Sequence, residues 1–268
     1  MKKIYLALMC MASLSLMTAC SGDKKGDKAN AEGENTEEVV NDDEQNADEQ
    51  EAEAAEADQW GNPAEAEVLD LAALYEAGDF KPAMTTIFED TLGNETAGEL
   101  PSKWDIKEGG AEVGEAQGHK YITMLGGNTI LLPLVGDNSK NFLPEKYTME
   151  FQFMLGKDDV WYHVRFYTAE EEEEVGNFNL FTAYSADWNF AKNDDEWIHG
   201  DQDELEKIIN RNGWNHLAVS YDKGNLKLFI NGKRIANMPG IKQAAYFTIT
   251  GDEADSRSHF IKNIRVAK

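Results

Sequence analysis

Residues 214–233 read WNHLAVSYDKGNLKLFINGK, and this stretch decides the fold. Every second residue is apolar from Leu217 to Tyr221 and again from Leu226 to Ile230, so each run presents one apolar face as a strand. Lys223-Gly224 separates the two runs, and Asn231-Gly232 follows the second. Asn-Gly is the dipeptide best suited to a tight two-residue hairpin. The stretch therefore predicts an antiparallel meander.

The same pattern of short apolar runs and turn residues continues from residue 80 to residue 268. About a dozen strands with frequent turns favour an antiparallel sandwich or barrel over alternating helices and strands. One helical insert is predicted after Asp201, which can cap a helix that has Glu204 three residues later. Residues 184–212 otherwise read as a long loop. The predicted strands are 84–88, 104–107, 120–125, 129–135, 147–154, 160–167, 177–183, 214–221, 226–230, 233–237, 246–250 and 259–266.

The hairpin at 214–233 resembles that of concanavalin A-like, laminin-G-like sandwiches. Further short motifs are similar to the sandwich that precedes the peptidoglycan-binding module in some OmpA-family outer-membrane proteins. The resemblance implies an all-β, antiparallel jelly-roll sandwich, to which we add a short N-terminal helix and one helical insert. The sequence ends at Lys268, directly after the last predicted strand, so we expect no peptidoglycan-binding module. The motifs are Phe88–Asp90, Leu100–Asp105, Leu143–Glu145, Tyr147–Phe151 and Phe260–Val266.

The first twenty residues have the layout of an export signal. Lys2 and Lys3 precede an apolar run, Ile4–Leu16, that is too short to span a bilayer. Thr18-Ala19-Cys20 follows and resembles a bacterial lipoprotein signal, which implies cleavage before Cys20 and acylation of that cysteine. An ordinary secretory leader with an incidental cysteine is the alternative. The resemblance implies an outer-membrane lipoprotein of the cell envelope, facing either the periplasm or the cell exterior.

Acidic residues are unevenly distributed over the rest of the chain. The formal net charge is −25, and residues 21–58 hold fifteen Asp or Glu against three Lys. Such a segment cannot bury enough apolar surface to fold, so residues 20–63 are predicted to be a disordered acidic tether. Residues 64–79 read as a short amphipathic helix that stops at Gly78, and 80–268 as the sandwich domain. The acidity argues against nucleic acid as a partner.

The strand at 161–167 is the best candidate for a binding surface. Period two places aromatic, imidazole and guanidinium groups together on the face away from the core. Aromatic rings stack on sugar faces and the polar groups bond hydroxyls, so this face suits sugar recognition. The alternative is a second layer covered by the loop 184–212, whose aromatic residues, Tyr184 among them, could otherwise complete the site. The predicted ligand-binding residues are Trp161, His163, Arg165, Tyr167, Trp188 and Trp197.

Metal and covalent sites are less well supported. Calcium is common in the resembled superfamily, but the candidate carboxylates show no regular calcium-loop spacing, so we expect solvated acids and no cofactor. Asp90-Thr91-Leu92 fits a short bacterial O-glycosylation pattern, which makes Thr91 a candidate acceptor. The candidate calcium carboxylates are Glu89 with Asp90, Asp194 with Asp195, and Asp201 with Asp203.

Catalysis is not expected. Glucanases of this fold cluster acids on one strand face as Glu-x-Asp-x-(x)-Glu, and no predicted strand has that pattern. The five histidines show no metal-ligand spacing. We therefore expect non-catalytic binding, with a glycan or cell-envelope polysaccharide as the ligand. The alternative is a structural or assembly role in which the sandwich packs on another envelope protein.

Overall fold

The computed structural model describes residues 61–155, 161–170, 172–182, 186–193, 196–252 and 259–268. The predicted signal peptide, Cys20 and nearly all of the predicted tether lie outside the described residues, as do Tyr184, Asp194 and Asp195. The described chain forms helices α1 (Leu71–Ala77) and α2 (Gln202–Glu206) and thirteen strands. The strands are β1 Thr86–Asp90, β2 Trp104–Ala116, β3 His119–Pro133, β4 Lys146–Met154, β5 Trp161–Tyr167, β6 Glu174–Thr182, β7 Ala186–Lys192, β8 Glu196–His199, β9 Trp214–Asp222, β10 Asn225–Ile230, β11 Lys233–Pro239, β12 Tyr246–Asp252 and β13 His259–Ala267.

The strands form one antiparallel sheet that curls into a sandwich. Their order is β11-β10-β9-β4-β13-β3-β12-β5-β6-β7-β8, with β1 beside β13 and β2 beside β3. Three strands separate β4 from β5 in this order, yet the Tyr162 hydroxyl donates to the Met154 carbonyl at 2.6 Å. The rings of Phe153 and Tyr162 also meet, with centroids 5.5 Å apart. The two halves of the sheet therefore pack face to face, which confirms the predicted all-β sandwich.

The core consists of the apolar face of each strand. Val164 and Phe166 from one half of the sheet share a single buried cluster with Leu217 and Val219 from the other. The alternation predicted for the meander is confirmed, because Leu226, Leu228 and Ile230 of β10 lie in the main core, whereas the buried Phe229 between them packs with Phe80 on the outer face. Both residues of Asn231-Gly232 have positive φ, 48° and 78°, as the tight hairpin turn requires. Burial of alternate residues is therefore what fixes the register of the sheet.

Two parts of the sheet were not predicted. Residues 186–199, expected to be a loop, contain β7 and β8, which extend the sheet by two strands. Strand β2 runs to Ala116 and not only to Lys107, because a register shift at Gly109 lets the strand continue past a glycine pair. Gly109 has a φ of 69°, and a Cβ there would lie 2.4 Å from the Thr129 hydroxyl oxygen.

Both predicted helices are present, and the first is shorter than expected. Asp70 accepts from the amides of the second and third residues of α1, so the helix begins at Leu71 and not at residue 64. Val68 lies before the helix and is 57% exposed. Gly78 ends α1 as predicted, and its amide donates to the Leu74 carbonyl at 2.8 Å. Neither described helix has the length and apolarity needed to cross a membrane.

Residues 61–85, which we call the strap, lie along the outer face of β4, β9 and β13. The Tyr75 hydroxyl donates to Glu150 Oε2 at 2.6 Å, and His216 Nε2 lies 2.9 Å from the same oxygen. Arg265 Nη1 lies 3.4 Å from the other oxygen. Burial alone would raise the pKa of Glu150, but the hydrogen bonds from His216 and Tyr75 outweigh it and hold the pKa below its usual value. One buried carboxylate thus ties the strap to two strands.

Trp214 holds the start of the strap. Its side chain is 3% exposed and packs with Ala66, Met154 and Phe260 on this outer face. Lys262 Nζ lies 3.8 Å from the indole centroid, and burial lowers the pKa of this lysine to about 8. The ring therefore fills the space between the strap and the sheet and also covers a lysine.

We expect Trp214→Ala to lower the free energy of unfolding by about 3–5 kcal/mol, because it leaves a large cavity under the strap. Urea denaturation followed by circular dichroism measures this. Trp197→Ala is the matched control, since Trp197 is 54% exposed and its loss should change stability by only about 0.5 kcal/mol. Equal effects of the two substitutions would contradict the packing described for Trp214.

His259 makes stability depend on pH. Its ring is buried, its Nε2 donates to the Trp161 carbonyl at 3.1 Å, and burial lowers its pKa from 6.5 to about 4. The unfolded chain therefore binds this proton more readily, so stability is complete above about pH 6.5 and is lost as the pH falls toward 4.

Between about pH 7.5 and pH 5, this linkage should cost about 2 kcal/mol of unfolding free energy. Urea denaturation at the two pH values measures the loss. His259→Gln removes the titrating group and keeps an amide donor for the Trp161 carbonyl. From pH 7.5 to pH 5, the loss of unfolding free energy should therefore be smaller in the variant than in the parent, by about that amount. The same loss in both proteins would show that other groups cause it.

Candidate functional site

The outer face of β12, β5, β6, β7 and β8 carries polar and aromatic residues in rows across the strands, and we call it the polar face. Strand register defines three rows. The alternation that buries Val164 sends its neighbours on β5 outward, so Trp161, His163, Arg165 and Tyr167 share this face as predicted from the sequence. The rows are Thr250–His163–Asn179–Asn189–His199, Thr248–Arg165–Asn177–Ala191–Trp197 and Asp252–Trp161–Phe181–Asp187.

His163 anchors the first row through a chain of side-chain hydrogen bonds. Its Nδ1 donates to Asn179 Oδ1, and Asn179 Nδ2 donates to Asn189 Oδ1 at 2.6 Å. Burial and the nearby Arg165 charge lower the pKa of His163, so the ring is neutral at neutral pH. With the proton on Nδ1, the other ring nitrogen is an acceptor.

That acceptor, His163 Nε2, is buried and has no hydrogen-bond partner among the described residues. Asp252 Oδ2 lies 3.8 Å away, beyond hydrogen-bond distance, and is also an acceptor. Thr250 is the cross-strand neighbour of His163, and its hydroxyl is likewise buried without a partner in the described part of the chain. A donor placed at the imidazole would satisfy this nitrogen.

Aromatic rings surround this polar centre. The Trp161 and Phe181 rings meet edge to face, with centroids 4.3 Å apart. Tyr167 and Tyr246 stack at the opposite end of β5, with centroids 5.0 Å apart. Trp197 stands on β8, about 14 Å from β5 at the usual strand spacing. The face therefore has aromatic surface on three sides, over a length that suits an oligosaccharide.

Arg165 lies in the second row, between the polar centre and the tyrosine pair. Its Nε is 3.9 Å from Glu174 Oε2, and its side chain is partly exposed. Because the guanidinium has five donors in a fixed plane, an ion pair at this distance leaves donors for a ligand.

The structure corrects the prediction for Trp188. This residue pairs with Leu180 across β6 and β7, so it points into the core and is 4% exposed. Gly200 lies directly against it, since a Cβ there would be 2.1 Å from the indole nitrogen. Trp197 pairs with Ala191 and does reach the polar face. Of the two tryptophans predicted to complete the site, only Trp197 belongs to it.

The alternative of a covering loop at 184–212 does not hold for residues 186–199, because they widen the sheet through β7 and β8 and do not lie over the polar face. Sequence reasoning missed the amides of β6 and β7 and the polar residues of β12. The signal that could have found them is period-two alternation, with Asn177 and Asn179 on β6 between buried apolar residues.

The other candidate sites lie elsewhere. Asp90 is buried and accepts from the Leu92 amide at 3.0 Å and from Trp104 Nε1 at 2.9 Å, so it serves the fold. Asp201 caps α2, which begins one residue later and includes Asp203. Across the described ranges, no three or more His, Cys, Asp or Glu form a group that could hold a metal ion. Thr91 is exposed between two buried neighbours.

Comparisons with known proteins agree with this fold. The model of the concanavalin A-like lectin/glucanases superfamily matches residues 127–260, which is half of the chain. No curated protein sequence matches the chain significantly.

Among solved structures, the GlcNAcα1-4Gal releasing endo-β-galactosidase from Clostridium perfringens is 12% identical with a TM-score of 0.52. That likeness covers 70% of this chain and 63% of the enzyme's chain. The carbohydrate-binding module CBM66 from Bacillus subtilis is 9% identical with a TM-score of 0.40, over 62% of this chain and 96% of the module. The Bacillus licheniformis β-glucanase is 8% identical with a TM-score of 0.47, over 69% and 99% of the two chains.

Identities this low bear on the fold alone. The family match covers both the polar face and the whole meander at residues 214–233. The chain therefore belongs to the concanavalin A-like lectin/glucanases superfamily.

Proposed function

We propose that the polar face binds a glycan without cleaving it, and that the protein is a lipoprotein that presents this face at the cell envelope. The observation that carries the proposal is the buried acceptor His163 Nε2, which lies beside the buried Thr250 hydroxyl on the next strand; neither has a hydrogen-bond partner among the described residues. A sugar hydroxyl is both a donor and an acceptor, so it can satisfy such a pair directly or through one bridging water.

The surroundings of this pair support a sugar over other hydroxyl-bearing ligands. Trp161 and Trp197 offer ring faces for stacking, and the amides of Asn177 and Asn189 are only partly buried. Buried Asn177 Oδ1 has no hydrogen-bond partner within the described residues. Apolar rings beside fixed polar groups are the usual composition of a small-molecule site.

The spacing of the two described aspartates at the ends of one row favours binding over hydrolysis. Asp252 and Asp187 stand at the two ends of one row, three strand spacings apart, or about 14 Å. Glycosidases hold their two carboxyl groups roughly 5–9.5 Å apart. The superfamily includes glucanases, but these two carboxylates are too far apart to flank one glycosidic bond.

We expect Trp161→Ala and Trp197→Ala each to weaken glycan binding by about 1–3 kcal/mol, because each removes a stacking surface. A glycan array with the parent protein identifies the ligand, and calorimetry with that glycan measures the losses. Met84→Ala, which removes an exposed apolar side chain outside the polar face, is the control and should bind as the parent does.

Asp252→Asn tests His163 as a ligand contact. The new amide can donate to His163 Nε2, so this nitrogen would no longer need a donor from a ligand. Glycan binding should therefore weaken. If no glycan binds the parent, or if the ring variants bind as well as the parent, the proposal is wrong. Co-purification of an envelope protein with the parent would then favour the assembly role.

The anchoring part of the proposal rests on the signal that ends at Cys20. Cys20→Ser should abolish labelling by radioactive palmitate and release the protein from the membrane fraction, because the acyl chains supply the membrane affinity. Ser21→Ala is the matched control and should keep both label and membrane association. Palmitate retained on the Cys20→Ser protein would overturn the lipoprotein assignment.

A further inference from the structure

A second surface, on the opposite side of the core from the polar face, has an unusual charge. A cleft of about 450 Å³ lies where the strap meets β4, β9 and β10. Acids outnumber basic residues two to one in the whole chain, 50 to 25, yet this cleft is lined by four lysines and one aspartate. The charged residues are Lys81, Lys146, Lys227, Lys268 and Asp222.

Strand register explains how the lysines converge. Lys146 is the cross-strand partner of Asp222, and the two form an ion pair of 2.9 Å that is largely exposed. Asn225 pairs with Asp222 on the next strand, and Lys227 pairs with Ser220, so these side chains leave the sheet on the same outer face. The cleft is therefore built on a rigid sheet and not on loops.

Two polar groups in the cleft have no partner within the described part of the chain. Lys227 is half-buried, and among the described residues its ammonium has no ion pair or hydrogen bond. The Asn225 amide oxygen is buried without a partner in the same part of the chain. No hydrogen bond fixes this oxygen, so the amide can turn and present its NH₂ group to the cleft. The Ser220 hydroxyl is a further donor on the lining.

Lys81 is held differently. Its Nζ donates to the carbonyls of Tyr75 and of Gly78, the latter at 3.2 Å, at the C-terminal end of α1. This lysine fastens the strap and closes one side of the cleft, while Lys227 supplies positive charge at the sheet beside the Lys146–Asp222 ion pair.

We propose that this cleft binds an oxyanion: a sulfate, phosphate or carboxylate group, either as a free ion or carried on a larger molecule. Lysine ammonium groups, a hydroxyl and an amide NH₂ donate together to oxygens of one negative group, which is the donor set such anions require. The volume matches that of small-ligand sites, roughly 300–1,000 Å³. The site is separate from the polar face and does not depend on the proposed glycan function.

The test titrates the full-length protein in detergent with inorganic sulfate, inorganic phosphate, a sulfated oligosaccharide and its desulfated form, using calorimetry. Binding of an inorganic ion assigns the cleft to free oxyanions. Binding of the sulfated oligosaccharide but not of the ions assigns it to an anionic group on a carrier. In either case the binding affinity should fall as the salt concentration increases, because the charges are partly exposed.

Lys227→Gln should reduce binding of the responding probe by roughly tenfold, and Lys146→Gln combined with Lys227→Gln by more, because hydrogen bonds to charged groups are strong. Lys107→Gln makes the same charge change on β2, away from the cleft, and should bind as the parent does. Lys227→Arg, which keeps the charge, should retain most of the binding and guards against a folding defect in Lys227→Gln.

The inference is overturned if no probe binds, or if Lys227→Gln and Lys107→Gln bind equally. Trp197→Ala should leave oxyanion binding unchanged, and Lys227→Gln should leave binding at the polar face unchanged. Failure of this inference and failure of the glycan proposal are therefore distinguishable.

Discussion

Each strand of the curled sheet has to turn alternate side chains into one shared core, and the other roles of the domain depend on this constraint. The two cysteines of the sequence are Cys10 and Cys20, both before the domain, so no disulfide stabilises it. Apolar burial must therefore do so. Because one face of every strand is buried in the core, the outer face of each half of the sheet is available for other contacts. One half keeps its outer face for polar and aromatic rows, and the other is covered by the strap.

The strap shows how a buried charge can be stabilised on such a face. Glu150 is nearly inaccessible, and an isolated carboxylate there would be costly. Tyr75, His216 and Arg265 surround it, one from the strap and two from neighbouring strands. Loss of any one partner would leave part of the charge uncompensated, which costs more than the contact itself contributes. The carboxylate therefore makes the position of the strap specific, and the strap in turn forms one wall of the lysine cleft.

A feature of the fold could be predicted from the sequence when the residues that determine it lie within one short stretch. The meander at 214–233 was predictable because its alternation and its Asn-Gly turn lie within one short stretch. The cap at Asp201 was predictable for the same reason. Strands β7 and β8 were missed because both are short, and their partners are set by the sheet. Without those strands, the direction of Trp188 could not be deduced, since one residue of register decides between core and surface.

The polar face could be predicted in part on similar grounds. The four outward residues of β5 follow from the alternation of that strand alone. Their neighbours Asn179 and Asp252 come from strands far along the chain and meet His163 only through sheet pairing. The chemistry of the site, a neutral imidazole facing a carboxylate, is a property of three strands together. No stretch of sequence contains it, which is why a candidate surface was predictable and its polar centre was not.

The two proposed sites differ in the kind of ligand that each would hold, and the chain's acidity increases this difference. A net charge of −25 repels anions at long range, but at physiological salt this field is screened beyond about 8 Å. In the proposed cleft site, an anion would meet Lys227 beside the Lys146–Asp222 ion pair, and at short range this attraction outweighs the screened field of the distant acids. In the proposed glycan site, a neutral sugar is not repelled, and its hydroxyl can donate to His163 Nε2, which an anion without a proton could not satisfy. The two proposed sites would therefore separate neutral from charged ligands by short-range contacts.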